Sequence, residues 1–172
     1  MVTFYKKNFI YKIYIWLPII ILFISVLNEF DFNYLDIEYF SFNFPFILIF
    51  YWSLKKSESL GYGYIFVAGL INDVVTGFPI GISSFNYLLI CGFAAYLRTI
   101  TIRPSLIKDW FFFLFTILVV NSLSYSILNL FFAIDLNYNN LFINIFFTFI
   151  FYIIFANIFM IYQKAFFKES HD

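Results

Sequence analysis

Asp73 is the residue whose type and position most strongly suggest a specific role. It is a carboxylate within a run of mostly apolar residues from Leu60 to Leu97. An Asp near the centre of a membrane-spanning helix costs about 2.5–3.5 kcal/mol on insertion scales, and less toward a helix end. On a helix, Gly69, Asp73 and Gly77 share one face at i, i+4 and i+8. This pattern predicts a groove of small residues with a carboxylate in its floor, which a neighbouring helix can approach closely.

Side chains that could donate hydrogen bonds to Asp73 occur farther along the chain. They carry hydroxyl or amide groups and recur at helical spacing in the last two apolar segments: Ser122, Tyr125, Asn129, Asn144, Thr148 and Tyr152. An ion pair with Asp73 is not expected, because Lys12, the basic residue within a predicted span, lies at the far end of the first one. Three interpretations remain open: an interhelical hydrogen bond, a site for an ion, proton or substrate, and an assembly contact with another membrane protein.

Several classes of chemistry lack the residues that they require. An intramembrane serine protease needs a base beside its serine, and the single histidine, His171, lies one residue from the end of the sequence. An aspartyl membrane protease needs two carboxylates that share a proton, and Asp73 is the one acid within a predicted span. The sequence has no cluster of metal ligands and no phosphate-binding loop. We expect a protein that is not an enzyme, with no catalytic residues, metal or cofactor.

The composition is that of an integral membrane protein. Of 172 residues, 63% are hydrophobic and 12% are charged, and the mean hydropathy is +0.90. A soluble domain of this length needs more polar surface than these residues provide. The formal net charge is +0 and no basic domain is present, so the sequence gives no indication of nucleic-acid binding. The fold class that we predict is an all-α membrane protein.

The elements that must position Asp73 are about six membrane-spanning helices. A crossing takes about 20 apolar residues, and the predicted spans are residues 9–27, 40–54, 60–78, 80–97, 110–133 and 141–162, which form a single polytopic domain over residues 1–172. The third and fourth spans form one apolar run of about 57 Å if helical throughout, nearly twice the hydrocarbon thickness of about 30 Å. Gly77, Pro79 and Gly81 interrupt this run. They predict a tight helical hairpin between spans three and four.

The charged residues orient the predicted spans. With six crossings, all ten basic residues fall on one side of the membrane: Lys6, Lys7, Lys12, Lys55, Lys56, Arg98, Arg103, Lys108, Lys164 and Lys168. The opposite side has acidic residues and no Lys or Arg. Because basic residues remain cytoplasmic, we predict that both termini are cytoplasmic and that the protein is a multi-pass membrane protein.

The motif around the hairpin resembles a known family. The motif comprises Tyr51 and Trp52 near the end of span two, then Gly69, Asp73, Gly77, Pro79 and Gly81 with their full spacing, and Arg98 at the end of the next span. This arrangement resembles that of the bacterial rod shape-determining protein MreD family. The chain departs from the family at Ser57 and Glu58, where a proline often follows the Tyr-Trp segment. Spans five and six match by hydropathy alone.

This resemblance implies a non-enzymatic scaffold of the cell-wall elongation, or rod shape, complex, located as a multi-pass protein in the bacterial inner (cytoplasmic) membrane. Its partners would be an MreC-like protein, indirectly an MreB-like filament, and the glycosyltransferase and transpeptidase that build peptidoglycan. The residues of the motif would be assembly or structural determinants. The alternative is a substrate-binding membrane subunit of a small-molecule uptake transporter. The sequence leaves self-association open.

Overall fold

The chain folds as a set of α-helices. The computed structural model describes residues 16–27, 42–55, 60–101, 105–133 and 138–169, with side chains as far as residue 164. The helices of these ranges are α1 (Trp16–Leu27), α2 (Phe44–Lys55), α3 (Tyr62–Thr76), α4 (Ile82–Ile100), α5 (Leu106–Phe132) and α6 (Tyr138–Glu169). The all-α prediction is therefore confirmed. Residues 9–15 of the first predicted span, the loop at residues 28–41 and both chain ends lie outside the described residues.

Two of these helices have the length and composition of membrane spans. An 18-residue stretch of Leu106–Phe132 has a mean hydropathy of 2.0, and one of Tyr138–Lys164 has a mean hydropathy of 2.3. The helices α1, α2 and α3 are shorter and apolar. The six-span arrangement and its orientation stay predictions, and the membrane-like character of the helices supports them.

Helix α2 lies at the centre of the fold. Ten of its twelve residues are buried, as expected for a helix that is hydrophobic on all sides. It packs against α4 and α6, while α4 also packs against α3 and α5. Aromatic rings fill much of the space: Phe113 of α5 stacks on Tyr152 of α6 with ring centroids 4.4 Å apart, and Phe50 of α2 lies against both. Such pairs stabilise a core beyond the area that they bury.

The third and fourth helices form an antiparallel hairpin, with the break at the predicted residues. Helix α3 ends at Thr76, and Gly77 follows in the left-handed conformation with φ 71°. Gly81, with φ 106°, is the N-cap of α4. Residues with a Cβ rarely adopt these angles. The hairpin places the last turn of α3 beside the first turn of α4.

Candidate functional site

The carboxylate of Asp73 caps the neighbouring helix. Asp73 is 0% exposed. Its Oδ2 accepts a hydrogen bond from the backbone N–H of Gly81 at 2.7 Å, and its Oδ1 accepts one from the backbone N–H of Ser83 at 2.8 Å. Gly81 has no side chain to cap α4, so Asp73 of the preceding helix supplies the acceptor that an N-cap residue normally provides. The carboxylate also lies at the positive end of the α4 dipole.

The turn between the helices makes this capping possible. Gly77 and Gly81 provide the two positive φ angles, and the carbonyl of Pro79 accepts a hydrogen bond from the N–H of Ile82 at 3.3 Å. Asp73 lies in the last turn of α3, four residues before Gly77. Its side chain therefore reaches the first N–H groups of α4 directly. Gly77 and Gly81 give the turn its backbone conformation, and the Asp73 carboxylate accepts hydrogen bonds from the N–H groups that follow the turn.

Gly69 allows α3 and α4 to approach closely. A Cβ atom at this position would lie 2.4 Å from Ser84 Cα and 2.5 Å from Ser84 N, distances that real Cβ atoms do not show. Ser84 Oγ donates to the carbonyl of Phe66 at 2.9 Å, and Asn72 Nδ2 donates to Ser83 Oγ at 2.9 Å. The hairpin is thus joined by backbone contact and by polar side chains of both helices.

The sequence prediction for these side chains was incomplete. Asn72, Ser83 and Ser84 were not among the predicted site residues, although each takes part in the hairpin. A signal was present, because two adjacent serines in the first turn after a helix-starting glycine are typical of residues that satisfy backbone groups. Gly77 was predicted to line the groove with Gly69, but a Cβ at Gly77 would meet nothing within 4 Å. Its role in the structure is to provide the positive φ angle.

The predicted donors on α5 and α6 require a correction, because the hydrogen bonds that Asp73 accepts come from the α4 backbone. On α5, Ser122 and Asn129 are exposed, and Tyr125 packs against Tyr138 with ring centroids 4.8 Å apart. The physical reason is proximity. The turn brings unsatisfied N–H groups to Asp73, whereas a donor on α5 or α6 belongs to a helix that does not share the hairpin.

The three candidates on α6 contact other groups. Thr148 Oγ1 accepts a hydrogen bond from the N–H of Asn43 at 2.9 Å and lies 3.4 Å from Asn144 Oδ1. Tyr152 is buried, and its ring stacks on Phe113. These residues join α6 to α2 and α5.

The other motif residues lie away from Asp73, toward the opposite end of the helices. Tyr51 and Trp52 are buried near the end of α2 and pack against Phe159 of α6, and Tyr51 Oη donates to Gln163 Oε1 at 3.3 Å. Arg98 is exposed in the last turn of α4, where a basic residue favours the helix dipole. The motif that is continuous in the sequence therefore occupies two separate places in the fold.

An ion pair that the sequence analysis missed joins α2 to α5. Lys55 Nζ donates to Asp109 Oδ2 at 2.7 Å. The Asp109 side chain is 2% exposed and the Lys55 side chain is 24% exposed. Asp109 lies in the first turn of α5, where an acid favours the helix dipole. The pair holds the end of α2 against the start of α5.

At the other end of the bundle the helices border an open cavity of about 580 Å³. Its walls come from Ser25 of α1, the residues before and within the first turn of α2, the last turns of α3 and the turn that follows, the first turns of α4, the second half of α5 and the start of α6. Across the ranges that the structure describes, no group of three or more His, Cys, Asp or Glu residues could hold a metal ion. The site that the sequence singled out is therefore a helical hairpin beside a cavity.

Comparison with known proteins identifies a family. A family model described as rod shape-determining protein MreD matches residues 7–169. Neither the curated proteins nor the solved structures contain a match.

Proposed function

The chain belongs to the family of the rod shape-determining protein MreD, which implies a role in rod shape determination, and we propose from this premise that it is a non-enzymatic scaffold of the cell-wall elongation complex. The family match carries the proposal, since it covers nearly the whole chain. The proposed location is the bacterial inner membrane, with six spans in a single polytopic domain and both termini cytoplasmic.

The positions of the charged residues support this orientation. Lys55 at the end of α2 contacts Asp109 at the start of α5, and Arg98 lies in the last turn of α4. The basic residues assign one end of each of spans two, four and five to the cytoplasmic side. Two of these ends, those of spans two and five, are in direct contact through Lys55 and Asp109. Since basic residues remain cytoplasmic, this end of the bundle is proposed to face the cytoplasm. The cavity would then face the opposite side.

The hairpin is the proposed structural determinant of assembly. The Asp73 carboxylate and the Gly69 contact hold α3 and α4 as one rigid unit. The outward side of α3 has exposed apolar residues, among them Phe66, Val67 and Val74. A rigid pair of helices presents such a surface in one geometry, which lowers the entropic cost of association. The proposed partners are an MreC-like protein and, through it, an MreB-like filament and the wall-synthesis glycosyltransferase and transpeptidase.

The test is depletion of the protein in its host, with cell width followed by microscopy. We expect cells to widen and become round on depletion, and the intact chain to restore their width. A Gly63→Ala variant should restore it as well, because a Cβ at Gly63 meets nothing within 4 Å. A Gly69→Leu variant should fail, since it forces α3 and α4 apart.

Unchanged width after depletion would contradict the proposed function. Failure of an MreC-like protein to co-purify with the intact chain would contradict the proposed assembly. The alternative of a small-molecule uptake subunit receives no support from the family match, and it predicts a different outcome: a growth defect that an added nutrient cures.

A further inference from the structure

The cavity at the end of the bundle is lined by an unusual number of carboxamides. The segment before α2 and the helices α3, α4 and α5 contribute one each, and α6 contributes two: Asn43, Asn72, Asn86, Asn121, Asn140 and Asn144. Ser25, Thr76, Ser83, Ser124 and Tyr125 add hydroxyl groups to the same walls. Six amides at separate positions in the sequence thus converge on a single space.

Such a lining favours polar contents. A carboxamide has two N–H donors and two acceptor lone pairs, and leaving them unmet in apolar surroundings is costly. Contacts with the walls use part of this capacity: Asn72 donates to Ser83 Oγ at 2.9 Å, Asn121 donates to the carbonyl of Ile117 at 2.8 Å, and Asn86 Oδ1 accepts from Ser124 Oγ. The amides can form further hydrogen bonds with a molecule in the cavity.

The walls also indicate the charge of that molecule. Among the described residues that line the cavity, none is Lys, Arg, His, Asp or Glu. The nearby carboxylate of Asp73 accepts its hydrogen bonds from the N–H groups of Gly81 and Ser83. From these described walls, an anion or a cation would gain no countercharge in return for the hydration that it loses. An uncharged ligand with both donors and acceptors matches the amides.

Aromatic rings complete the lining. Phe42, Phe46, Tyr87 and Tyr125 lie among the polar residues. Flat apolar faces interspersed with hydrogen-bonding groups suit a molecule whose ring carries hydroxyls at its edge and C–H groups on its faces. The volume of about 580 Å³ lies within the range of about 300–1,000 Å³ that is typical of small-molecule sites.

We propose that this cavity binds an uncharged polyhydroxylated ligand with the dimensions of one or two hexose rings, from the side of the membrane opposite the basic residues. Asn121 and Asn140 hydrogen-bond the ligand, and the aromatic rings pack against its faces. This inference concerns binding alone, and it stands whether or not the chain acts in shape determination.

The experiment uses the purified full chain in lipid nanodiscs and three hexoses that differ in charge. Glucose is neutral, glucosamine is a cation and glucuronate is an anion, while their sizes are similar. Binding is measured by saturation-transfer NMR titration. We expect saturable binding of glucose and binding at least about tenfold weaker for both charged sugars, because the described residues of the cavity wall offer no charge of opposite sign.

A matched pair of variants locates the binding. Asn121 donates to the carbonyl four residues earlier at 2.8 Å, and Asn157 on α6 makes the same local bond to Ile153 at 2.9 Å outside the cavity. We expect Asn121→Ala to weaken glucose binding about tenfold, which is the loss of about one hydrogen bond, and Asn157→Ala to leave it unchanged.

Three outcomes would overturn the proposal. These are the absence of saturable glucose binding, charged sugars that bind as tightly as glucose, and an equal effect of both alanine variants. The cavity would instead accept a polypeptide if no sugar bound and a co-purified partner protected the Asn140→Cys variant from maleimide. That result would also overturn the proposal, and none of these outcomes depends on cell width.

Discussion

At the scale of single residues, Asp73 acts on backbone groups rather than on another side chain. A helix leaves its first N–H groups without partners, and water cannot reach them inside a bilayer. Hydrogen bonds to charged groups contribute about 1.5–3 kcal/mol each, against about 0.6 kcal/mol for an average interhelical bond between side chains in a membrane. The two bonds from Gly81 and Ser83 can therefore offset the insertion cost of the carboxylate.

Substitutions at Asp73 should follow the number of acceptors that remain. Asp73→Asn keeps one oxygen and loses one of the two bonds, whereas Asp73→Leu leaves two buried N–H groups without partners. Each unsatisfied group costs about 1–3 kcal/mol, so we expect Asp73→Leu to lose about twice as much stability as Asp73→Asn. Thermal unfolding of the purified protein in detergent, followed by gel filtration, measures the difference.

The control for this pair is Val74→Leu, which changes a neighbouring residue that is 70% exposed and should not alter stability. Equal losses for Asp73→Asn and Asp73→Leu would contradict the hydrogen-bonding role and would indicate that the charge itself is required.

The ion pair between Lys55 and Asp109 provides a second prediction at this scale. Lys55→Met leaves the buried carboxylate of Asp109 without its partner. Breaking a fully buried pair costs about 3–5 kcal/mol, and we expect a smaller loss here because about a quarter of the Lys55 side chain is exposed. Adding Asp109→Asn should recover part of the loss, which a double-mutant cycle on thermal stability measures.

Lys108→Met is the matched control, since Lys108 adjoins Asp109 and is exposed. If Lys108→Met lost as much stability as Lys55→Met, the loss would reflect a general effect of positive charge rather than the specific ion pair.

At the scale of elements, the hairpin of α3 and α4 is defined by the distance between its backbones. Gly69 packs against the Cα of Ser84, and the hydroxyl of Ser84 reaches the carbonyl of Phe66. Small residues at such crossings allow van der Waals contact and polar bonds at short range. The hairpin therefore depends on one position where even a methyl group does not fit.

Two glycines of α3 should respond to alanine in opposite ways. Gly69→Ala places a Cβ 2.4 Å from the Cα of Ser84, so the helices must separate, and we expect destabilisation of about 1–3 kcal/mol, as for overpacked cores. Gly63→Ala places a Cβ in open space and should be neutral or stabilising by about 0.4–1 kcal/mol. Thermal unfolding of both variants measures this contrast, and a Gly69→Ala variant as stable as the original chain would contradict the close approach.

At the scale of the whole molecule, the bundle has two chemically different ends. One has the Lys55–Asp109 pair and exposed basic residues such as Arg98 and Lys108. The other has the hairpin turn and the amide-lined cavity. A membrane protein with this asymmetry has one preferred orientation, because basic residues remain on the cytoplasmic side.

Cysteine labelling in intact cells tests this orientation. The chain has a single native cysteine, Cys91, which is buried, so background labelling should be low. We expect a membrane-impermeant maleimide to modify Asn140→Cys in intact cells and Lys108→Cys after the membrane is opened. Both positions are exposed in the fold, and the reverse pattern would contradict cytoplasmic termini.

The sequence by itself determined the helical class and the break at Gly77–Gly81, and it singled out Asp73 as an acid among apolar residues. These features depend on local properties, since composition predicts membrane helices, glycine and proline end them, and a buried acid stands out against apolar neighbours. Gly69 could be predicted to face a helix because its spacing from Asp73 places both residues on one side of α3.

Only the tertiary structure decided which groups meet. The donors to Asp73 are backbone N–H groups, which every residue has and no sequence pattern marks, so the side chains of α5 and α6 were the visible candidates. The Lys55–Asp109 pair and the convergence of six asparagines join residues that are far apart in the chain. Their proximity follows from how the helices pack around α2. Helical periodicity predicts which face of a helix is polar, but it does not predict which other helix packs against that face.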